Sequence, residues 1–338
     1  MQRPNPRPGI VHALAAMLLA LCGASASAAP HCLTDCTPRI GIVSAFGAEA
    51  DILVEQTSER RTHQINGNRF TTGRLRGNRV VIVLSGVSMI NSTMVTQLML
   101  DHFKVERLVM SGIAGGINPA HHVGDVTVPD RWMMPMEVYW NGSDAVPAPC
   151  GAPGDVSCLG LKLATGADGK PLAPFSGLFV RENHVRTSAN AASGGEFRMD
   201  YPVDAAMLDV VRQINPPLER CGRRDPTKCV TTTPRLIIGG RGVSGTAFLA
   251  NEAYRRYLFE QLQAETVEME TAALAHVAHA NGVPYIAFRS LSDLAGATEF
   301  NADVGALFSS GLAEQNESAV TLAFLEAWAR RSPHGPSK

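Results

Sequence analysis

Apolar positions along this chain fall in short runs separated by segments of helical spacing. Residues 38–46, with Ile40, Ile42 and Val43, read as a buried strand that opens a helix near Ala48. Residues 79–85 and 107–112 are short apolar runs of the kind left by central strands covered on both faces. Between them Met94, Val95 and Leu98 recur at helical spacing. Residues 123–128 and 235–240 predict two more strands. Two later runs, 265–269 and 285–291, each lead into acidic positions and are joined by an Ala-rich helix over 270–281, with Ala273, Leu274 and Val277 on its apolar face. A last long helix is predicted over 303–330, carrying Leu307, Phe308, Leu312, Val320, Phe324 and Trp328. Alternation of this kind predicts one mixed or parallel sheet with helices on both faces, an α/β fold.

The interval 131–234 breaks the rhythm. It is rich in Gly, Pro and Ala, shows little sustained periodicity and holds Cys150, Cys158, Cys221 and Cys229. It reads as a stapled excursion from a single domain.

The first 29 residues stand outside the fold. Arg3 and Arg7 precede an apolar run over 13–21, and Ala26-Ser27-Ala28 supplies small residues suited to cleavage. The run is too short to span a bilayer. A buried N-terminal helix is the competing reading; lipidation at Cys22 is disfavoured by Leu21 before it. A cleavable signal peptide predicts a periplasmic or secreted protein with no stable membrane association.

Charge and cysteines extend the picture. Losing Arg3 and Arg7 and no acid takes the formal net charge from −1 to −3. A chain so near neutrality is expected to carry no electrostatic footprint for nucleic acid or anionic membrane. About 300 remaining residues at 45% hydrophobic composition can bury a large core. Once Cys22 leaves with the signal, the remaining cysteines form near-neighbour pairs: Cys32/Cys36, Cys150/Cys158 and Cys221/Cys229. Three local disulfides are the simplest connectivity for an exported chain. Zinc is the alternative, but no pair has CxxC spacing and no His pair lies beside them.

Five motifs carry a resemblance. They are Ile40-Gly41-Ile42-Val43-Ser44-Ala45-Phe46-Gly47-Ala48-Glu49, Ser111-Gly112-Ile113-Ala114-Gly115-Gly116, Ser244-Gly245-Thr246-Ala247-Phe248, Val267-Glu268-Met269-Glu270-Thr271 and Arg289-Ser290-Leu291-Ser292-Asp293. In this order they resemble the purine nucleoside phosphorylase superfamily, and within it the 5'-methylthioadenosine/S-adenosylhomocysteine nucleosidases. Residues 85–100 are similar to a secreted subgroup that includes plant bark storage proteins. The resemblance implies a single-domain three-layer sandwich with a central mixed sheet. It makes 131–234 an insertion on the order of forty to sixty residues relative to a compact nucleosidase. It also implies a dimer and a small-molecule purine nucleoside as ligand, with no cofactor.

The chemistry implied is cleavage of a purine N-glycosidic bond. That reaction needs a protonated leaving group, a held sugar and an aimed water. Asp293, after an apolar strand and beside Ser292, is the candidate acid for purine N7, since burial can keep a carboxyl protonated near neutrality. An N-cap for the following segment is the alternative. Glu270 is the candidate for the ribose hydroxyls, with Met269 on the sugar face and Glu268 as support; a solvated glutamate at a helix start is the alternative. Glu49 stands where the nucleosidases carry their water-activating glutamate, although Gly47 and Ala48 replace acids common in the family. A first-turn acid favouring the helix dipole would look the same. Phe248 would stack on the base, with Leu249 supplying backbone groups, or would be a core residue. Phe46, beside Ala45, would line the pocket for the 5'-substituent. Arg289 would hold the water or neutralise the carboxylates.

The glycine motif departs from the pattern. Gly112, Ala114, Gly115 and Gly116 allow close backbone approach. Ile113 and Met110, however, stand where phosphorylases carry a hydroxyl and an arginine for phosphate. Hydrolysis is therefore expected over phosphorolysis. A phosphorylase and a non-catalytic, storage-like nucleoside-binding protein are the alternatives; retention of Glu49, Glu270 and Asp293 speaks against the latter. His276 and His279 lack a metalloprotease pattern, and His121-His122 is expected to have no acidic partner nearby. No P-loop is present.

Overall fold

The computed structural model describes residues 32–147, 161–296 and 309–331. Twelve strands make one sheet. The chain begins with β1 (Asp35–Ser44) and α1 (Gly47–Glu55), then a meander of β2 (Ser58–Ile65), β3 (Asn68–Leu75) and β4 (Asn78–Leu84). Next come α2 (Met89–His102) and the long β5 (Phe103–Gly116). Short strands β6 (Val126–Val128), β7 (Arg131–Met133) and β8 (Tyr201–Pro202) lead to α3 (Ala205–Val211). After β9 (Leu236–Ile238) and β10 (Arg241–Ser244) the chain runs through α4 (Glu252–Leu262), β11 (Ala264–Glu268), α5 (Thr271–Asn281), β12 (Tyr285–Asp293) and α6 (Leu312–Arg331).

The sheet is mixed, and β5 is its branch point. Residues 107–110 of β5 lie parallel to β1, and residues 108–114 lie parallel to β12 on its other side. Its last two glycines pair antiparallel with β11, Gly116 opposite Thr266 and Gly115 opposite Val267. The C-terminal ends of β1, β5, β11 and β12 thereby converge. In the centre, residues 40–45 and 108–116 are buried without interruption, the burial expected of strands covered on both faces.

Side-chain alternation along β12 shows the three layers. Phe288 packs on Phe324 of α6, with ring centroids 5.2 Å apart, while the next residue, Arg289, reaches Thr271 at the start of α5. Helices α1, α3 and α6 pack together on one face and α2 with α5 on the other. Helix α5 is buried almost all round, from Thr271 through Ala275, as an interior helix must be.

The expected strand over 79–85 turns out to end a three-stranded meander. Two-residue turns at Asn66-Gly67 and Arg76-Gly77 close its hairpins, with φ of 46° and 76° in the first and 47° and 83° in the second. Positive φ at both central residues matches the right-handed twist of the flanking strands. The last helix is described from Leu312; the part expected over 303–308 lies outside the described residues.

The interval 131–234 divides. Its ends belong to the sheet and its helices, through β7, β8 and α3. Its middle makes two small antiparallel pairs, Val138–Trp140 with Leu178–Val180 and Asn183–Val185 with Glu196–Arg198. The excursion is fastened to α4: the Tyr257 hydroxyl donates to Ala173 O at 2.8 Å, and Phe175 packs edge-on against Tyr254. Cys32–Cys36 and Cys221–Cys229 are disulfide-bonded. Cys150 and Cys158 lie outside the described residues, as does the expected signal segment. No helix among the described residues is long and apolar enough to cross a membrane.

Candidate active site

The site begins with β1 giving way to α1. Glu49 sits in the first turn of α1 and turns back, its Oε2 accepting from Ala45 N–H at 2.6 Å and Phe46 N–H at 3.2 Å. Its other oxygen accepts from Ile113 N–H on β5 at 2.9 Å. Glu49 is thus a helix-start acid, as the dipole reading expects, and also a buried carboxylate at the strand ends. Burial pushes its pKa up, against Arg289 and those backbone donors.

Glu268 and Glu270 flank the junction of β11 and α5. Glu268 accepts from Glu270 N–H (3.0 Å), Thr271 N–H (2.9 Å) and the Thr271 hydroxyl (2.9 Å), and contacts the Ser244 hydroxyl and Arg289 Nη2. It therefore satisfies the free N–H groups that begin α5. Glu270 points to the cleft. Its Oε1 accepts from Ser88 N–H at 2.8 Å, and the Ser92 hydroxyl donates to its carbonyl at 3.0 Å. Ser88 holds φ at 99°, a strained value for a residue with a Cβ, and that conformation aims its N–H at Glu270. Burial, then the neighbouring Glu268 charge, push the Glu270 carboxyl up to about 8, against the pull of Arg289.

Asp293 ends β12. Pairing with β5 slips here: Leu291 faces Ala114 and Asp293 faces Gly115, so Ser292 is the extra residue of a bulge. Such a bulge re-aims the side chain after it. Asp293 Oδ1 accepts from Ala295 N–H at 2.7 Å and Oδ2 from the Ser292 hydroxyl at 3.0 Å. The first contact is an Asx-type turn, the local bonding that the capping alternative anticipates in kind. Burial raises the Asp293 pKa, and the two hydrogen bonds oppose it.

Arg289 lies behind these acids with no exposed surface. Its Nη2 bonds the Thr271 hydroxyl at 2.8 Å, contacts Glu268 and lies 3.6 Å from Glu270 Oε2; Nη1 lies 3.8 Å from Glu49 Oε1. Desolvation pulls its pKa down, but four carboxylates, Glu268, Glu270, Glu49 and Glu317, outweigh it and the guanidinium stays charged. Glu317 on α6 is a further buried acid. It contacts the Ser111 hydroxyl and accepts from the Ser318 hydroxyl at 3.0 Å, and burial holds it well above the ordinary range.

Every residue expected at the site lines one cleft except Arg289: Ala45, Phe46, Glu49, Ile113, Ala114, Gly115, Phe248, Leu249, Glu268, Met269, Glu270, Ser292 and Asp293 all do. Arg289 bonds the acids from beneath. Val87, Ala247 and Val267 also line the cleft and were not anticipated. Nor were Ser88 and Ser92, whose bonds to Glu270 bridge elements some 180 residues apart. Phe248 is 66% exposed, which rules out the core alternative for it. Met110, by contrast, is a core residue away from the cleft. His121 does have an acidic partner: its Nε2 lies 2.5 Å from Glu265 Oε2, a pairing made by β11 returning beside β5. Among the described residues no cluster of His, Cys, Asp or Glu could hold a metal ion.

A cleft at converging strand ends, lined by acids and apolar groups, is how an α/β protein presents a small-molecule site. The chain belongs to the Phosphorylase superfamily, whose match spans residues 39–326. It is 26% identical over 269 residues to a 5'-methylthioadenosine/S-adenosylhomocysteine nucleosidase of Mycobacterium tuberculosis, covering 79% of this chain and 91% of that protein. A nucleosidase of the same name from Bacillus cereus is 25% identical over 265 residues, 76% of this chain and 87% of the relative. In fold it is similar to the S. pneumoniae nucleosidase of that name, with a TM-score of 0.58, 22% identity and coverage of 86% and 100%. It is also similar to futalosine hydrolase of Helicobacter pylori, with a TM-score of 0.56, 19% identity and coverage of 88% and 98%.

Proposed function

We propose that this protein hydrolyses the N-glycosidic bond of a 5'-modified adenosine, of the methylthioadenosine or S-adenosylhomocysteine type, and releases adenine. The observation that carries the reading is three buried carboxylates, Glu49, Glu270 and Asp293, held at separate edges of one cleft whose lining includes an exposed phenylalanine. Burial favours the protonated form of Asp293, which gives its proton to purine N7. Glu270 accepts from the 2'- and 3'-hydroxyls; those donors and Arg289 favour its ionised form once the sugar is bound. Its charge then stabilises the cationic sugar as the bond to N9 breaks. Glu49 takes a proton from the water whose oxygen bonds to C1'. Phe248 stacks on the base, Met269 packs on the sugar and Phe46 meets the 5'-group.

Hydrolysis is favoured over phosphorolysis by charge. Among the described residues the cleft lining includes four acids and no cation, and Arg289 is engaged from behind. A phosphate dianion would enter without a counter-charge. The nucleosidase names of the sequence relatives support the same reading. Incubation of the protein with methylthioadenosine, with and without phosphate, tests it. Adenine in phosphate-free buffer is the expected result. Adenine only with phosphate would make it a phosphorylase, and tight binding with no release in either buffer would make it a binding protein.

Export and assembly belong to the same proposal. The N-terminal charge and apolar pattern, with Cys32–Cys36 and Cys221–Cys229 bonded, supports a periplasmic or secreted protein freed of its first 29 residues. A homodimer is supported by an exposed apolar group made of Val87, which lines the cleft, and Ile90 and Met94 on α2, 48%, 76% and 46% exposed. Intact mass of the exported protein and its sedimentation are the checks.

A further inference from the structure

A second concavity lies toward the opposite end of β1 from the cleft. It is a groove of about 560 Å³ on the β1–β4 side of the sheet, lined by Arg39, Arg60, Arg61, Arg74 and Arg79 with Glu59 as its only acid among the described residues. Arg39 and Ala45 are six residues apart along one strand, so groove and cleft are separated by about 20 Å.

Three features distinguish this groove from an edge merely charged against aggregation. First, Arg74 and Arg79 stand directly opposite one another in the β3–β4 pair, where like charges destabilise a sheet. Second, the concavity is shaped. The β2–β3 register slips between Ser58 and Arg61, and Glu59 takes a left-handed φ of 52°. At Gly73 a Cβ would run into Thr57 and the Ser58 carbonyl, so this approach of β2 to β3 needs glycine. Bulges of this kind redirect side chains. Third, the cations are unevenly used. Arg39 pairs with Asp35, Arg74 with Glu59, and Arg60 bonds Val54 O. The guanidinium groups of Arg61 and Arg79 have no partner among the described residues.

Planar guanidinium groups with free N–H pairs match phosphate oxygens two at a time. We propose that the groove binds two phosphate groups bridged between Arg61 and Arg79, carried by one molecule or by neighbouring lipid headgroups, at a site independent of the nucleoside cleft. Free oligophosphates and phosphate-bearing lipid headgroups share this chemistry.

The test titrates the full chain with tripolyphosphate at low ionic strength and sediments it with phosphatidylglycerol or phosphatidylcholine vesicles. The same is done for Arg61→Ala/Arg79→Ala and Arg61→Lys/Arg79→Lys, with thermal melts as the check on folding. Saturable binding of tripolyphosphate is expected, at least about tenfold weaker in the alanine pair and weakened also in the lysine pair. Tripolyphosphate binding without sedimentation assigns a free ligand; sedimentation with phosphatidylglycerol alone among the vesicles assigns a headgroup. No saturable binding of either probe, or equal affinity in the alanine pair, overturns the site. A lysine pair that matches the natural protein overturns it in favour of a diffuse positive field.

Discussion

Arg289 Nη1 lies 3.8 Å from Glu49 Oε1, and Gly112 of β5 is the residue against which both rest. A Cβ at position 112 would collide with the Arg289 guanidinium and with the Glu49 carboxylate together. The glycine keeps β5 close enough for Ile113 N–H to bond Glu49. One backbone position thus sets the spacing of an acid and the cation that balances it.

Gly112→Ala is expected to disturb both charges at once. Overpacking a full core costs about 1–3 kcal/mol. Chemical denaturation should show a loss in that range, together with lower turnover of methylthioadenosine. Wild-type stability and turnover would mean that the Glu49–Arg289 spacing does not matter.

The buried acids predict an unusual pH dependence of stability. Glu49, Glu270, Asp293 and Glu317 all hold their protons more tightly than ordinary carboxyls. The unfolded chain gives up such protons near pH 4.5, whereas folded Glu270 keeps its own to about 8. Over that window the folded state binds more protons, so stability falls as pH rises. The unliganded protein should melt higher near pH 5 than near pH 8. Glu317→Gln, which keeps a neutral group at its site, should make the decline shallower. A melting temperature that rises from pH 5 to 8 would contradict the protonated assignment.

Asp293→Asn removes the proposed proton for N7. Turnover of purine nucleosides should fall by about 10²–10⁴-fold, the range for a lost general acid. A p-nitrophenyl riboside, whose phenolate leaves unaided, should be spared. Equal losses on both would make Asp293 structural.

Much of this site is legible in the chain because its acids sit at the ends of apolar runs. Residues 40–45, 108–112, 266–268 and 285–291 are buried without interruption, the centre or the whole of each predicted strand. The β2–β3 hairpin is hidden in the sequence despite its Asn66-Gly67 turn signal, because β2 is an exposed edge strand with no apolar stripe. Long-range bonds were also beyond reach. No pattern along the chain tells Ser88 N–H that it will meet Glu270, or joins His121 to Glu265. Arg289 stayed undecided between two roles; its position beneath the acids favours balancing their charge.

Two glutamates on different elements divide the labour of hydrolysis. Glu49 serves the water, held from α1 and β5; Glu270 serves the sugar, held from α2 and the preceding loop. The most direct measurement is calorimetric binding of an adenosine-like inhibitor alongside adenine release, for Glu49→Gln and Glu270→Ala. Glu49→Gln should abolish release with inhibitor affinity little changed. Glu270→Ala should weaken both, because the diol is gripped in ground and transition states alike. Full adenine release by Glu49→Gln would contradict the account, since the water would then be activated elsewhere.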